Sequence, residues 1–510
     1  MSSKPRKPDV DIRELQSVIK QAQSKYNSLL SEENSPESNR EVYKISVVTP
    51  MFGGGSVPGN VDKHFPVRST AIRGHLRFWW RATRGAQAKD AKELHKRETA
   101  IFGDTKQPSA VKIWVEAKPA IVRPVSRNIA KNNERPKWRL DREVNDYPYI
   151  LFPYNSEGNF YIPKYDFKLL IDYIEQPIKL GDDKEAFITV DQLKVELHAA
   201  LWAWINFGGV GARTRRGCGS LYCNKFSPSI SFSSAKDVKD WFHGELSEKQ
   251  ITLLLDEECP EWATLSKNII VRPTLNPIGK SWKEVIDAYQ HFRRRANGQD
   301  TNNPKRSHWP EADSIRRLTG MAEIDHQDPI TISKNSDEIA FPKAQFGLPI
   351  ITSFKDNKEK QGDDKNEREP YTTQLVPRNK DRLSSPLIMK AIAINDSQGY
   401  GAFVILKQPK LNELELIIQV NDTKRKMNKK HAITLNNHLK SKPIKTHHIY
   451  PLLNYKNNPM KVQNKPCRSA IEAFLASEEV EKWKCQGTQN NRCKTYHQKR
   501  NNRYNQQPKF

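Results

Sequence analysis

The sequence predicts an α+β chain of two ferredoxin-like modules with helical insertions and a basic C-terminal extension. Three observations carry that prediction. Residues 42–226 run strand, helix, strands, helix, strand, which is the order of a split βαβ unit. A second cycle of the same kind begins after residue 265. From about residue 421 the chain turns rich in Lys, Asn, Gln and His.

Taken in order, residues 1–40 begin basic and become polar. DIRELQSVIKQAQSKYNSLL has a helical period, and SEENSPESNR reads as a linker. VYKISVVTPMF, residues 42–52, alternates and is β-branched, so it is expected as a strand. The turn-rich GGGSVPGN follows, then PVRSTAIRGHLRFWWRATRG (66–85), a helix with Ser69 as its N-cap. Short strands are expected at Ala110–Val115 and around Tyr149–Phe152. A helix from Gln192 to Phe207 sets Leu193, Leu197, Ala200, Leu201 and Trp204 on one side, and Ser220–Phe226 closes the first module, 41–228. Residues 229–265 read as a helical connector, with helices at 235–245 and 247–256. The second module, 266–420, opens with the strand Asn268–Pro273 and the basic helix Trp282–Arg295; further strands are expected at Leu387–Ile394 and Tyr400–Lys407. KDNKEKQGDDKNERE (355–369) is a charged loop. The last stretch, 421–510, is expected to be partly disordered, with one amphipathic helix near Ser469–Trp483.

The 510 residues carry 84 Lys and Arg against 59 Asp and Glu, a net charge of +25. The length suits two or three domains. The charge is an argument about partners and favours a polyanion. No run approaches the roughly 18–20 apolar residues of a membrane span, and the N-terminus MSSKPRKPDVDIREL lacks the apolar core of a secretory signal. A cytoplasmic protein with no membrane partner is expected. Six cysteines (Cys218, Cys223, Cys259, Cys467, Cys485, Cys493) form no Cys-x-x-Cys pair, and the spacing of Cys467, Cys485, Cys493 and His497 is wrong for a zinc ribbon or finger. Neither metal nor cofactor is expected.

Two segments point to nucleic acid. At about 100° per residue, Arg73, Arg77, Arg81 and Arg84 fall within an arc of about 80°, beside a face of Ile72, Leu76, Trp79 and Thr83. The planar guanidinium binds phosphate oxygens in pairs, and the segment holds no carboxylate of its own to engage these groups. The alternative is a solvated cationic face. The second segment, GGVGARTRRGCG (208–219), sets five glycines (Gly208, Gly209, Gly211, Gly217 and Gly219) around Arg213, Arg215 and Arg216 at a helix-to-strand junction. Glycine permits positive φ and close approach, so successive N–H groups can form an anion nest. It is no nucleotide P-loop, because the Gly-Lys-Ser/Thr ending is absent; a glycine-rich turn with exposed charges is the alternative.

Trp79 and Trp80 could stack bases, with Trp80 the better candidate by angle, although packing is favoured for both. His64 and His75 flank the basic helix and could act as acid and base in 2′-OH attack, but they are not placed as a convincing pair and no catalytic residue is expected. His308 and Trp309, between Arg306 and Arg316–Arg317, form a second expected contact surface, the alternative there being a loop anchored by Trp309; Arg294, His308, Arg316 and Arg317 are expected RNA contacts.

VVTPMFGGG, PVRSTAIRGHLRFWWRATRG, IFGD (101–104) and GGVGARTRRGCGSL together resemble the RAMP (repeat-associated mysterious protein) superfamily. More closely, they are similar to the first subunit of the Cmr complex, the type III-B CRISPR effector. RSHWPEADSIR (306–316), FPKAQFGLPIIT (341–352) and RLSSPLIMKAI (382–392) extend the resemblance in the expected order, leaving 1–40 and about the last hundred residues outside it. The resemblance implies two RAMP modules of RRM-like, ferredoxin-like fold in a subunit without catalytic activity. Such a subunit sits at one end of a filament of RAMP proteins and contacts the 3′ portion of guide (CRISPR) RNA and the paired target RNA. It also implies RNA-binding roles for the five glycines and for Arg68, Arg73, Arg77 and Arg81. The rival readings are a metal-independent endoribonuclease that processes repeat RNA, and a capping protein whose basic face docks an acidic subunit surface.

Overall fold

A computed structural model describes residues 39–128, 137–139, 159–179, 185–296, 306–354, 368–419 and 429–485, apart from a few single positions within them, together with residues 17 and 21. β1 (Arg40–Val47) buries Tyr43, Ile45 and Val47 and turns Val42 and Lys44 outward, as its alternation dictates. After it come α1 (Ser69–Ala82), α2 (Ala91–Phe102), β2 (Val111–Ala117), β3 (Tyr165–Tyr173), α3 (Val190–Phe207) and β4 (Leu221–Tyr222). The four strands form one sheet in the order β4-β1-β3-β2, antiparallel at each pairing. Helices α1 and α3 pack against each other over it through Leu76, Trp79, Leu197 and Trp204.

Several boundaries differ from expectation. The expected strand 42–52 breaks at Val48–Pro50, with Met51–Phe52 joining a separate small sheet beside Phe160–Ile162. Ser69 is the first helical residue of α1, and Arg68 is its N-cap with no side-chain cap. The strand near Tyr149–Phe152 falls outside the described residues, whereas β3 was not expected. The connector holds one helix, α4 (Ala235–Glu248), capped by Ser234 and Asp237, and helix does not continue through 249–255.

The second sheet is built from β5 (Thr264–Val271) and, much later in the chain, a hairpin whose second strand pairs with it. Between them run α5 (Ile278–Arg293), α6 (Glu311–Thr319), β6 (Ile350–Thr352) and β7 (Thr373–Pro377). The hairpin is β8 (Leu387–Ala393) with β9 (Gln398–Lys407), and β9 lies between β8 and β5. Both faces of this sheet are covered. Ile388, Ile392, Tyr400, Ala402 and Val404 belong to the first core, and Met389, Ala391, Phe403 and Ile405 pack with Trp282 and Val285 of α5. LIMKAIA is therefore buried along its whole length, Lys390 included, and is apolar on both faces instead of alternating.

A third sheet, in the order β6-β7-β10-β11, completes the architecture with β10 (Glu413–Ile418) and β11 (Ile444–Lys445). Leu375, Leu414, Leu416 and Ile418 meet Ile315 and Leu318 of α6 and Leu439 of α7 (Lys429–Lys440). None of these four strands was expected. The amphipathic helix expected at Ser469–Trp483 is two helices, α8 (Ala470–Leu475) and α9 (Glu478–Cys485). Their Phe474 and Trp483 pack on Phe403 at ring separations of 5.1 and 4.8 Å. Residues 429–485, read from sequence as part of a basic extension, thus complete the second and third cores. Among the described residues no helix is long and apolar enough to cross a membrane. Cys218, Cys223 and Cys467 are free thiols, and Cys485 is disulfide-bonded, which the sequence analysis did not anticipate.

Candidate nucleic-acid interface

The arginine row of α1 is present, but its partners come from the next helix. Glu98 of α2, 7% exposed, accepts from Arg77 Nε and from Arg81 Nη1, each at 2.7 Å. Arg73 donates to the Phe102 carbonyl at the end of α2. Arg84 is held by Glu196 of α3 at 2.6 Å and by the Gln250 carbonyl at 2.5 Å. One carboxylate thus serves two guanidinium groups, whose side chains remain about one-third exposed at 36% and 33%. The face stays cationic while its geometry is fixed from below, an arrangement that holds charges ready for an anion without collapse onto one another.

The glycine loop is also fixed, by close approach on every side. A Cβ on Gly208 would meet Trp79 Nε1 at 2.5 Å, on Gly209 the Gly219 carbonyl at 2.6 Å, on Gly211 the Phe52 carbonyl at 2.5 Å, and on Gly217 Trp282 Nε1 at 2.6 Å. Gly211, Gly217 and Gly219 have positive φ, as does Arg213, which caps a short 3-10 turn of Thr214–Arg216. The glycines therefore serve packing as well as backbone freedom, and the loop wedges between the first sheet and α5. Arg216 lies over Tyr289 at 4.5 Å, and its carbonyl accepts from Trp282 Nε1 at 2.7 Å.

The two cationic segments meet. Arg215 lies 5.1 Å above the ring of Phe78 on α1 and donates to the Ser385 carbonyl at 3.2 Å; burial pushes its guanidinium down to about 10. Arg68 donates to the Gly54 carbonyl at 2.5 Å, and Gly54 faces Gly211 across the Phe52–Ala212 backbone bridge. Beneath the loop, the fully buried Lys390 of β8 donates to the Gly208 carbonyl at the C-terminus of α3, and burial pushes its amine down to about 7. Sequence reasoning missed Glu98, Glu196, Phe78 and Lys390; the Glu98 pairing was visible only through α2, which was not expected.

Other candidates are placed differently. Trp79 and Trp80 are both buried, and Trp80 donates to Glu196 at 2.6 Å, so neither offers a face for stacking. His75 stacks on Trp204 at 6.2 Å and burial lowers its pKa, while His64 is exposed on the turn before α1. In the second expected surface, Trp309 is buried and donates to the Phe292 carbonyl at 3.3 Å, the anchored-loop alternative. His308 is tied by its backbone to Arg295 and Tyr455. Arg316, 11% exposed, grips Glu369 through two bonds of 2.9 and 2.7 Å and Asp313 at 3.0 Å, so its charge faces inward. Arg317 donates to the Glu338 and Ser333 carbonyls, and Arg294 is exposed at the C-cap of α5. Glu323, His326 and Glu369 bring ligand atoms within 4.8 Å of one another. The Arg316 guanidinium stands 3.2 Å from His326 Nδ1 and 2.7 Å from Glu369 Oε1, so this cluster already holds a cation beside its carboxylates.

The RAMP superfamily matches residues 44–222, which include the arginine helix and the whole glycine loop. The CRISPR system Cmr subunit Cmr1-1 of Pyrococcus furiosus is 30% identical over 260 residues, covering 46% of this chain and 68% of that protein. The chain belongs to the Cmr1 family of RAMP proteins. Cmr1-2 of the same organism is 27% identical over 188 residues, 35% of this chain and 92% of that protein. The crystal structure of apo Cmr1 from Pyrococcus furiosus aligns at a TM-score of 0.38 and 16% identity, covering 79% of this chain and 96% of that one. A chain of the type III-B Cmr-beta assembly bound to cognate target RNA aligns at 0.39 and 14% identity, covering 78% and 98%.

Proposed function

We propose that this Cmr1-family chain is a non-catalytic, RNA-binding subunit of a type III-B CRISPR effector. It would sit at one end of a filament of RAMP subunits and hold the 3′ portion of guide RNA and the paired target RNA. The observation that carries the reading is that α1 meets the loop bearing Arg213 and Arg215, through Arg68 at the Gly54 carbonyl and Phe78 beneath Arg215, while the same helix holds Arg77 and Arg81 on one buried carboxylate, Glu98. Such a face grips sugar–phosphate by charge and shape and leaves sequence to base pairing. The strand order β4-β1-β3-β2 with helices α1 and α3 supports a first ferredoxin-like module. The order β5-β9-β8 with α5 and α9 supports a second, and the domain limits 41–228 and 266–420 are proposed on that basis.

Salt dependence tests the reading. If six to eight phosphates are neutralised, log K for single-stranded RNA falls with log salt at a slope of roughly −4 to −6. Arg77→Gln with Arg81→Gln should flatten that slope by about 1 and weaken all RNA sequences alike. Weakening confined to one sequence contradicts backbone binding. Conversion of labelled RNA to cyclic-phosphate products in EDTA would contradict a non-catalytic subunit.

A further inference from the structure

With both tryptophans of α1 buried, the aromatic surface beside the arginine face lies elsewhere, on the turn that precedes the helix. Phe65 is 67% exposed, and its backbone N–H donates to Asp62 Oδ1 at 3.0 Å, as does that of His64 at 2.9 Å, so a tight turn presents the ring outward. The strand side of this turn continues the apolar surface. The Ala120 N–H bonds the Lys63 carbonyl at 2.8 Å and sets Ile121, 77% exposed, beside it. The Phe160 N–H reaches Asn60 Oδ1 at 3.4 Å, adding a second half-exposed ring. Three large apolar side chains are thus exposed on segments hydrogen-bonded to this turn. The same segments carry the exposed cations Lys63, Arg68 and Arg123, and Asp62 within the turn is engaged by two backbone donors.

We propose that Phe65 is a stacking platform for an unpaired base of single-stranded RNA, extending the phosphate track of Arg68 and the glycine loop. The inference rests on the RNA-binding reading above and adds a base contact to it. Three features favour RNA over a protein occupant. The rim is cationic, as a polyanion requires. The surface is continuous with the candidate interface, since Arg68 joins the Gly54 carbonyl at one end of the turn and opens α1 at the other. An aromatic face beside a basic groove is the arrangement by which single strands are held without sequence preference.

The test is equilibrium binding of the full chain to a fluorescent single-stranded RNA and to the same RNA carrying abasic positions. Phe65→Ala should weaken the intact RNA about ten-fold, leave the abasic RNA within about two-fold, and leave the salt slope unchanged. Phe65→Trp should bind the intact RNA at least as well as the unsubstituted chain. Equal losses on intact and abasic RNA, or no loss on either, overturn the platform while leaving salt-dependent RNA binding in place. Loss of subunit assembly with unchanged RNA affinity assigns the surface to a protein and also overturns it. If the unsubstituted chain binds neither RNA, the RNA-binding reading fails first.

Discussion

Glu98 decides how the arginine row behaves. A reading confined to residues 66–85 finds no carboxylate and expects four free guanidinium groups. The structure supplies Glu98 from α2 and Glu196 from α3, because helical neighbours in space are not neighbours in sequence. Glu98→Gln removes a buried charge that two arginines share, and the loss should be about 1–3 kcal/mol, read from urea unfolding. The same variant should raise RNA affinity in low salt, since it deletes the only negative charge bonded to Arg77 and Arg81 among the described residues. Lys390 gives a pH signature. Its folded pKa, about 7, lies below the roughly 10.4 of an unfolded lysine. Between those values the unfolded chain holds the extra proton, so stability rises as pH rises from about 7 towards 10 and is flat below 7 on this account. Lys390→Met should remove that rise when the two proteins are compared by urea unfolding at pH 7 and pH 9.

At the scale of elements, the glycine loop is a joint. Gly217, at φ +76, brings its Cα against Trp282 Nε1 of α5 and the Met389 carbonyl of β8. Gly217→Ala should cost about 2–3 kcal/mol through both the left-handed backbone and the clash, read as a fall in the urea midpoint. Both motifs that point to this joint were legible in the sequence, because glycine and arginine leave a compositional mark. Strand β3 was not. YDFKLLIDY carries three apolar residues in succession, and Leu170 faces outward yet is buried between Val42 and Trp114 on the neighbouring strands, so alternation is blurred where it would have marked the strand. The third sheet was hidden for a different reason. Its strands are two to six residues long, and β7 finds its partners at 350–352 and 413–418, a separation that no local pattern encodes. At 308–309 the structure shows what the anchored-loop alternative describes for Trp309, which is buried and bonded to the Phe292 carbonyl, because a pattern of Arg, His and Trp does not by itself say which side chains face inward.

At the scale of the molecule, the first and second sheets share one core. The face of β8 and β9 that carries Ile388 and Tyr400 joins the helices of the first sheet, so the arginine helix, the glycine loop and the second sheet form a continuous body. The late helices belong to it. A chain ending at residue 428 loses Phe474 and Trp483 from the core around α5, exposing Phe403 and Trp282; it should bind a hydrophobic dye and lose near-ultraviolet dichroism, in contrast to one ending at 485. This body gives the proposed RNA track its rigidity, since each guanidinium is set by a partner on another element. The most direct measurement is a map of ultraviolet crosslinks between guide RNA and the chain within the assembled complex. The account predicts crosslinks at both 65–84 and 208–219 on the same RNA segment. Crosslinks to only one of the two, or to neither, would contradict a shared track.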